Sequence, residues 1–157
     1  MSDGVKNIFI SHVHEDDDEL RKLKDLLAKK GYEIRDSSID SSKPNDAQDP
    51  DYIKSQILAP RIQWAGAVIV IISADTHESD WVNWEIEYAE KCGKRIVGVW
   101  AHGASDSDLP TALEEYADSV ELWNADAIIA AINGETSDWH QSDGSVRPPR
   151  VIDRYSC

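Results

Sequence analysis

Apolar positions along this chain alternate between short continuous runs and longer stretches with a helical period. Val5 to His12 (VKNIFISH) is β-branched and ends in small polar residues, which predicts a first strand. Glu15 to Lys30 then carries Leu20, Leu23, Leu26 and Leu27 on one side of a helix. Asp16, Asp17 and Asp18 suit the positive N-terminal end of that helix. Gly31 stops it, and Tyr32 to Arg35 reads as a second strand. Asp36 to Asp51 (DSSIDSSKPNDAQDPD) has no apolar period and is a loop, of a length that in compact domains is functional or disordered. Pro50 to Gln63 reads as a second helix, interrupted or ended near Pro60. Ala65 to Ile72 (AGAVIVII) is apolar on both faces and therefore a central strand.

The remaining elements continue the alternation. Ser79 to Gly93 (SDWVNWEIEYAEKCG) is a helix, and Lys94 to Trp100 a fourth strand. Leu109 to Ala117 is a short helix with Pro110 near its start, and Ser119 to Trp123 a fifth strand. Asn124 to Asn133 is a capped helix ended by Gly134. The last twenty or so residues have no period, and Pro148 and Pro149 suit an extended tail. The expected organisation is a domain over residues 1–134, with residues 135–157 packing on it or trailing from it. Strands alternating with helices imply an α/β three-layer sandwich around a five-stranded parallel sheet. Such sheets bind ligands beyond the carboxyl ends of their strands. Ser11 and His12, Asp36 and Ser37, and Ser73 to His77 all fall on that rim.

The helix after the third strand contains one misplaced charge. With Trp81 at zero and steps of about 100° per residue, Glu85 falls at about 40°. Val82, Trp84, Ile86, Tyr88, Ala89, Cys92 and Gly93 fill an arc from roughly 300° round to about 140°. Glu85 therefore lies within the apolar face, whereas Glu87 and Glu90 point to water. An inward carboxylate is paired, protonated or lining a cavity. A structural ion pair and a functional site both satisfy that pattern.

Composition narrows the chemistry. A chain of 157 residues with 41% hydrophobic and 29% charged positions suits one globular domain. A formal net charge of −14 argues against nucleic acid and against anionic membranes, since no Lys/Arg stripe is present. An anionic small molecule stays allowed, because one helix N-terminus or one arginine can cradle a phosphate. The two cysteines, Cys92 and Cys157, do not make a disulfide framework, and no apolar run approaches a membrane span. A reducing cytoplasm is the expected compartment.

Several site chemistries can be weighed against the rim. A phosphoacceptor domain of this topology needs an aspartate ending its third strand, where this chain has Ser73. His12, His14 and Asp16 suggest a metal, but no second cluster completes a coordination sphere, so none is expected. No G-x-G-x-x-G follows the first strand, which counts against a redox dinucleotide site. Glycosyl transfer usually takes two carboxylates. When the leaving group is a cationic pyridinium, as in nicotinamide departure from NAD, no general acid is needed. One glutamate can then stabilise the developing positive charge.

These residues carry a family resemblance. The strand NIFISH with its acidic helix start resembles the opening motif of TIR domains, and Ser73 followed by W-V-N-W-E-I resembles their tryptophan, variable triplet, glutamate and aliphatic pattern. The chain is most similar to the small bacterial TIR-like proteins of Thoeris anti-phage defence systems (ThsB-type), over roughly residues 5 to 133. The resemblance implies a flavodoxin-like TIR fold and cleavage of NAD at the nicotinamide–ribose bond, with Glu85 as the catalytic carboxylate. It implies NAD as substrate with no separate cofactor, self-association through TIR surfaces, and a cyclic or modified ADP-ribose signal that activates a separate effector. Ser11, His12, Asp36 and Ser37 occupy the positions of the family's ribose and nicotinamide contacts, and His77 and Trp81 could flank the same cavity. For Trp81, packing in the first helical turn is the competing reading. Val82 stands where a cysteine often follows the helix tryptophan, and the loop after Asp36 lacks the apolar-proline centre of receptor TIR domains. The alternatives are a non-catalytic TIR-like self-association module and a nucleoside deoxyribosyltransferase-like enzyme.

Overall fold

The structure is a computed structural model, and it describes residues 7–12, 17–36, 58–73, 76, 80–101, 104–105, 108–135, 139–141 and 145–147. Its strands are β1 (Asn7–Ser11), β2 (Glu33–Asp36), β3 (Ala67–Ile72), β4 (Arg95–Trp100), β5 (Ser119–Glu121), β6 (Trp139–His140) and β7 (Val146–Arg147). The helices are α1 (Asp17–Ala28), α2 (Ala59–Trp64), α3 (Asp80–Lys91), α4 (Thr111–Tyr116) and α5 (Ala125–Ile132). They build one sheet in the order β2-β1-β3-β4-β5-β6-β7. The first five strands are mutually parallel in the doubly wound order 2-1-3-4-5.

The apolar patterning explains the layers. Every residue of β3 is buried, as expected of a strand covered on both faces. Alternation sends Phe9, Val68, Val70, Ile72, Ile96 and Val120 to one face, where they meet Ile62 of α2, Val82 and Ile86 of α3 and Leu113 of α4. Ile8, Ile10, Ile69, Ile71, Val97 and Val99 point the other way, against Leu23 and Leu27 of α1 and Ile128 and Ile132 of α5. Each such fully buried aliphatic side chain contributes about 1.5–3 kcal/mol.

Local signals set the helix ends. Gly93 adopts φ 70° after α3. The amide of Lys94 reaches back to Ala89 O at 3.0 Å and closes a left-handed C-terminal turn. Asn124 caps α5 by accepting from the amide of Ala127 at 3.0 Å.

Near Pro60 the α-helix α2 runs from Ala59 to Trp64, with Pro60 in its first turn. Residues 50–57 of the predicted second helix, and residues 37–51 of the predicted loop, lie outside the described residues. The stretch expected to be an aperiodic tail contributes two strands. β6 pairs parallel to β5 through Val120 and Trp139, and β7 pairs antiparallel to β6. The parallel sheet therefore has six strands rather than five. Strands of two residues are too short to leave a period in the sequence.

Candidate functional site

Alternation along β1 turns Ser11 to the same face as Phe9, the face covered by α3. In register, Ser11 lies beside Val70 of the central strand β3. Glu85 sits one turn into α3 and descends onto this point. The Ser11 hydroxyl donates to Glu85 Oε1 at 2.5 Å, at the short end of O–H···O hydrogen bonds. Glu85 is 0% exposed, which the helical wheel had indicated. Its second oxygen, Oε2, has no hydrogen-bond partner among the described residues.

The energetic consequence is large. Loss of water around the carboxylate raises the Glu85 pKa from 4.5 to about 8, against the opposing pull of the Ser11 hydrogen bond and of the positive charge of Arg61. The negative charge of Asp36 adds a smaller upward push. Glu85 is therefore protonated at neutral pH in the unliganded protein. It is poised to ionise once a cation or a hydrogen-bond donor approaches Oε2.

The other rim positions sort differently. His12, directly after Ser11, is buried at 7% exposure. Asp36 ends β2, where its carboxylate takes Lys24 of α1 at 3.0 Å on the far side of the sheet from α3. Its backbone carbonyl instead faces α2 and accepts from Arg61 Nη1 at 2.6 Å. Trp81, one turn before Glu85, remains 38% exposed, so first-turn packing accounts for only part of its surface. Ser37 and His77 lie outside the described residues. So do His14 and Asp16, and among the described residues no group of three His, Cys, Asp or Glu side chains converges as a metal site.

Sequence reasoning missed one contributor, Arg61, and named Thr76 only within the rim stretch Ser73 to His77. Arg61 lies on a short helix next to a long polar stretch, so no period singled it out. Thr76 is fully buried after β3. Its hydroxyl donates to Ile71 O at 3.0 Å and accepts from the amide of Ser73 at 2.9 Å, which ties Thr76 back to the end of β3. A threonine three residues after the serine that ends a strand was the available signal.

Among the described residues no helix is long and apolar enough to cross a membrane. Comparison with curated proteins gives no match. Among solved structures, a conserved protein from Enterococcus faecalis superposes with a TM-score of 0.55 at 10% identity, covering 83% of this chain and 99% of that one. A Clostridium botulinum CMP N-glycosidase, BcmB, superposes with a TM-score of 0.48 at 19% identity, over 76% of this chain and 90% of that one. The TIR domains of the activated Roq1 resistosome, which recognises the pathogen effector XopQ, give 0.45 at 19% identity over 60% of this chain. The chain spans 57% of that Roq1 chain. At such identities these likenesses concern the fold alone. The family described as Thoeris protein ThsB, TIR-like domain, matches residues 9–106. That match includes β1 from Phe9 onward, Glu85 and the strands on either side of α3, more than half of the sequence, and the chain belongs to this Thoeris ThsB TIR-like family.

Proposed function

We propose that this protein is an NAD-consuming TIR enzyme of bacterial anti-phage immunity. Its reaction breaks the bond between C1′ of the ribose and the nicotinamide nitrogen. The bonding electrons go to the pyridinium ring, so nicotinamide leaves neutral without being protonated. The ribose is left with oxocarbenium character, and Glu85 as carboxylate stabilises that charge. Water captures the cation to give ADP-ribose, or a nucleophile within the same molecule captures it to give a cyclic or otherwise modified ADP-ribose. That product then acts as the signal to a separate effector.

The observation carrying this reading is the fully buried Glu85 with one oxygen held by Ser11 and the other without a hydrogen-bond partner among the described residues. An unsatisfied buried carboxyl oxygen costs about 1–3 kcal/mol, a penalty a ribose hydroxyl would relieve. The positive pyridinium also favours ionisation of Glu85, so binding and activation of the carboxylate are coupled. Ser11 positions Glu85, while His12, Ser37, His77, Trp81 and the backbone at Asp36, whose carboxylate turns to Lys24, are assigned to the wall around the dinucleotide.

The test incubates NAD with concentrated protein, with and without conditions that promote assembly, and resolves products by mass spectrometry beside Glu85→Gln. Nicotinamide and an ADP-ribose derivative are expected from the wild type and neither from the variant. Intact NAD under every assembly condition would remove the enzymatic reading. Equal turnover by the variant would remove Glu85 from its role.

A further inference from the structure

The short helix α2 runs back along β1 beside α3. Its end is fixed at the start of that strand, where Asn7 Nδ2 donates to Trp64 O at 3.2 Å and the amide of Gly66 donates to Asn7 O at 2.8 Å. Its buried Ile62 joins Phe9, Val82 and Ile86 in one core cluster, so α2 lies on the Glu85 face of the sheet. Toward α3, Gln63 donates to the hydroxyl of Tyr88. The beginning of α2 therefore points to the carboxyl rim. There Arg61, half-buried, donates from Nη1 to the Asp36 carbonyl at the end of β2, at 2.6 Å.

Strand register sets this guanidinium beside the Ser11–Glu85 pair. Asp36 pairs with Ile10, the residue immediately before Ser11. Neighbouring strands stand about 4.8 Å apart. The Asp36 carbonyl and the Ser11 hydroxyl are thus one strand and one residue apart. Each holds a side chain from the same helical layer, Arg61 of α2 at 2.6 Å and Glu85 of α3 at 2.5 Å. A sugar that contacts Glu85 has Arg61 within the breadth of its own ring.

The remaining groups of this face are of a different kind. β3 and β4 end here in Val70, Ile72 and Trp100, which are buried and apolar. Arg35 on β2 is turned to Trp64, its guanidinium carbon 4.3 Å from the ring centroid. Lys24 belongs to the opposite layer, where it pairs with the Asp36 carboxylate at 3.0 Å. Lys91 and Lys94 stand at the far end of α3. Among the described residues Arg61 is the cation at the carboxyl end of this face. In a chain of net charge −14, an anionic ligand needs such a local cation. A guanidinium meets phosphate oxygens in a planar fork, which a lysine cannot do.

We propose that Arg61 binds the 5′-phosphate of the ribose held at Glu85, so that the pyrophosphate lies over the end of β2, away from the apolar ends of β3 and β4. The inference rests on the reading of Glu85 as the carboxylate that receives the ribose. The contact is made equally in the bound substrate and in the transition state, so Arg61 contributes to affinity and not to bond breaking.

The test compares two ligands that differ only in that phosphate, nicotinamide mononucleotide and nicotinamide riboside, by isothermal titration calorimetry under conditions that promote assembly. Wild-type protein is expected to bind the mononucleotide on the order of tenfold more tightly. Arg61→Gln should remove that advantage and leave the riboside affinity unchanged, while Arg61→Lys should keep part of it. In NAD cleavage the Gln variant should raise KM by a similar factor with kcat close to wild type. Arg61→Met replaces Arg61→Gln if the latter does not fold, as judged by circular dichroism. Equal weakening of both ligands would make Arg61 a structural residue and overturn the proposal, and so would a mononucleotide affinity that the neutral variant leaves unmoved. Either result leaves the enzymatic reading standing, because the riboside reports on the Glu85 end alone. If neither ligand binds the wild-type protein, that reading falls and the proposal falls with it.

Discussion

Ser11 and Glu85, separated by 74 positions in the sequence, meet at 2.5 Å where the end of β1 touches the second turn of α3. The serine is fully buried and so is the glutamate. A hydroxyl donating to a carboxylate ordinarily lowers the acid's pKa, yet the Glu85 pKa is raised to about 8. Burial outweighs the hydrogen bond. The site therefore holds a proton at neutral pH that a suitable ligand can displace.

The first consequence concerns stability against pH. The folded-state pKa of Glu85 is raised above its unfolded value of 4.5, so the folded protein binds the extra proton between about pH 4.5 and 8. Stability from this group is fully present below the lower value and is lost as pH rises through the upper one. Glu85→Gln keeps the shape and cannot ionise. Its stability relative to wild type should rise across that window and level off above it, by a few kcal/mol at most. Urea melts of both proteins at pH 5, 7 and 9 measure this, and a constant difference would contradict a buried ionisable Glu85.

Removal of the serine hydroxyl acts in one direction on Glu85. Ser11→Ala leaves Oε1 without this donor, and the carboxylate becomes still harder to form. NAD cleavage should need a higher pH, and at pH 7 the rate should fall on the order of tenfold. The rate should recover toward wild type at high pH, where ionisation is complete. A pH–rate profile that drops uniformly without moving would show that Ser11 does something other than favour the Glu85 carboxylate.

The contrast between Glu85 and Arg61 shows what the sequence made legible. Glu85 stood out because a helix has a fixed period, and a carboxylate on its apolar side violates that period. The central strands β1, β3 and β4 were equally plain, because buried parallel strands are runs of apolar, largely β-branched residues. Arg61 carried no such mark, since an arginine on a short helix beside polar sequence is the ordinary state of a surface. What places it is the crossing of α2 between β2 and α3, a tertiary fact. The carboxylate of Asp36 was expected at the rim, and only the pleat of β2 decides that it turns to Lys24 while its carbonyl turns to Arg61. β6 escaped for a different reason: its two residues are held by contacts with β5 and Trp100 rather than by a pattern of their own.

Gly98, in the middle of β4, is explained by its surroundings. A Cβ there would lie 2.9 Å from Leu113 Cδ2, 3.1 Å from Ile72 Cδ1 and 3.4 Å from Val120 Cγ2. Alanine has the better strand propensity, so an open position would gain from it. Here the tips of two core side chains must shift. Gly98→Ala should cost about 1–3 kcal/mol, and Gly98→Val more. Thermal melting of both variants checks the order, and a stabilised Gly98→Ala would show that Leu113 and Ile72 move freely.

The edge of the sheet offers a test of independence. Glu121 is 1% exposed on β5, on the face opposite Val120 and hence opposite the Glu85 site. Its carboxylate accepts from the Ser119 hydroxyl at 2.6 Å and lies 3.3 Å from His140 Nδ1 on β6. Trp100 adds a second tie, donating from Nε1 to the His140 carbonyl at 2.8 Å. Glu121→Ala removes the acceptor of the Ser119 hydroxyl and the carboxylate beside His140, and should destabilise the protein by about 1–3 kcal/mol. The amides of β6 should exchange faster with solvent, because the carboxylate beside His140 is gone while the Trp100 hydrogen bond remains. Since no residue is shared with the Ser11–Glu85 pair, the double variant Ser11→Ala, Glu121→Ala should show additive losses within about 0.5 kcal/mol. A larger coupling, measured by urea unfolding of the four proteins, would mean that the two faces of the sheet respond to one another.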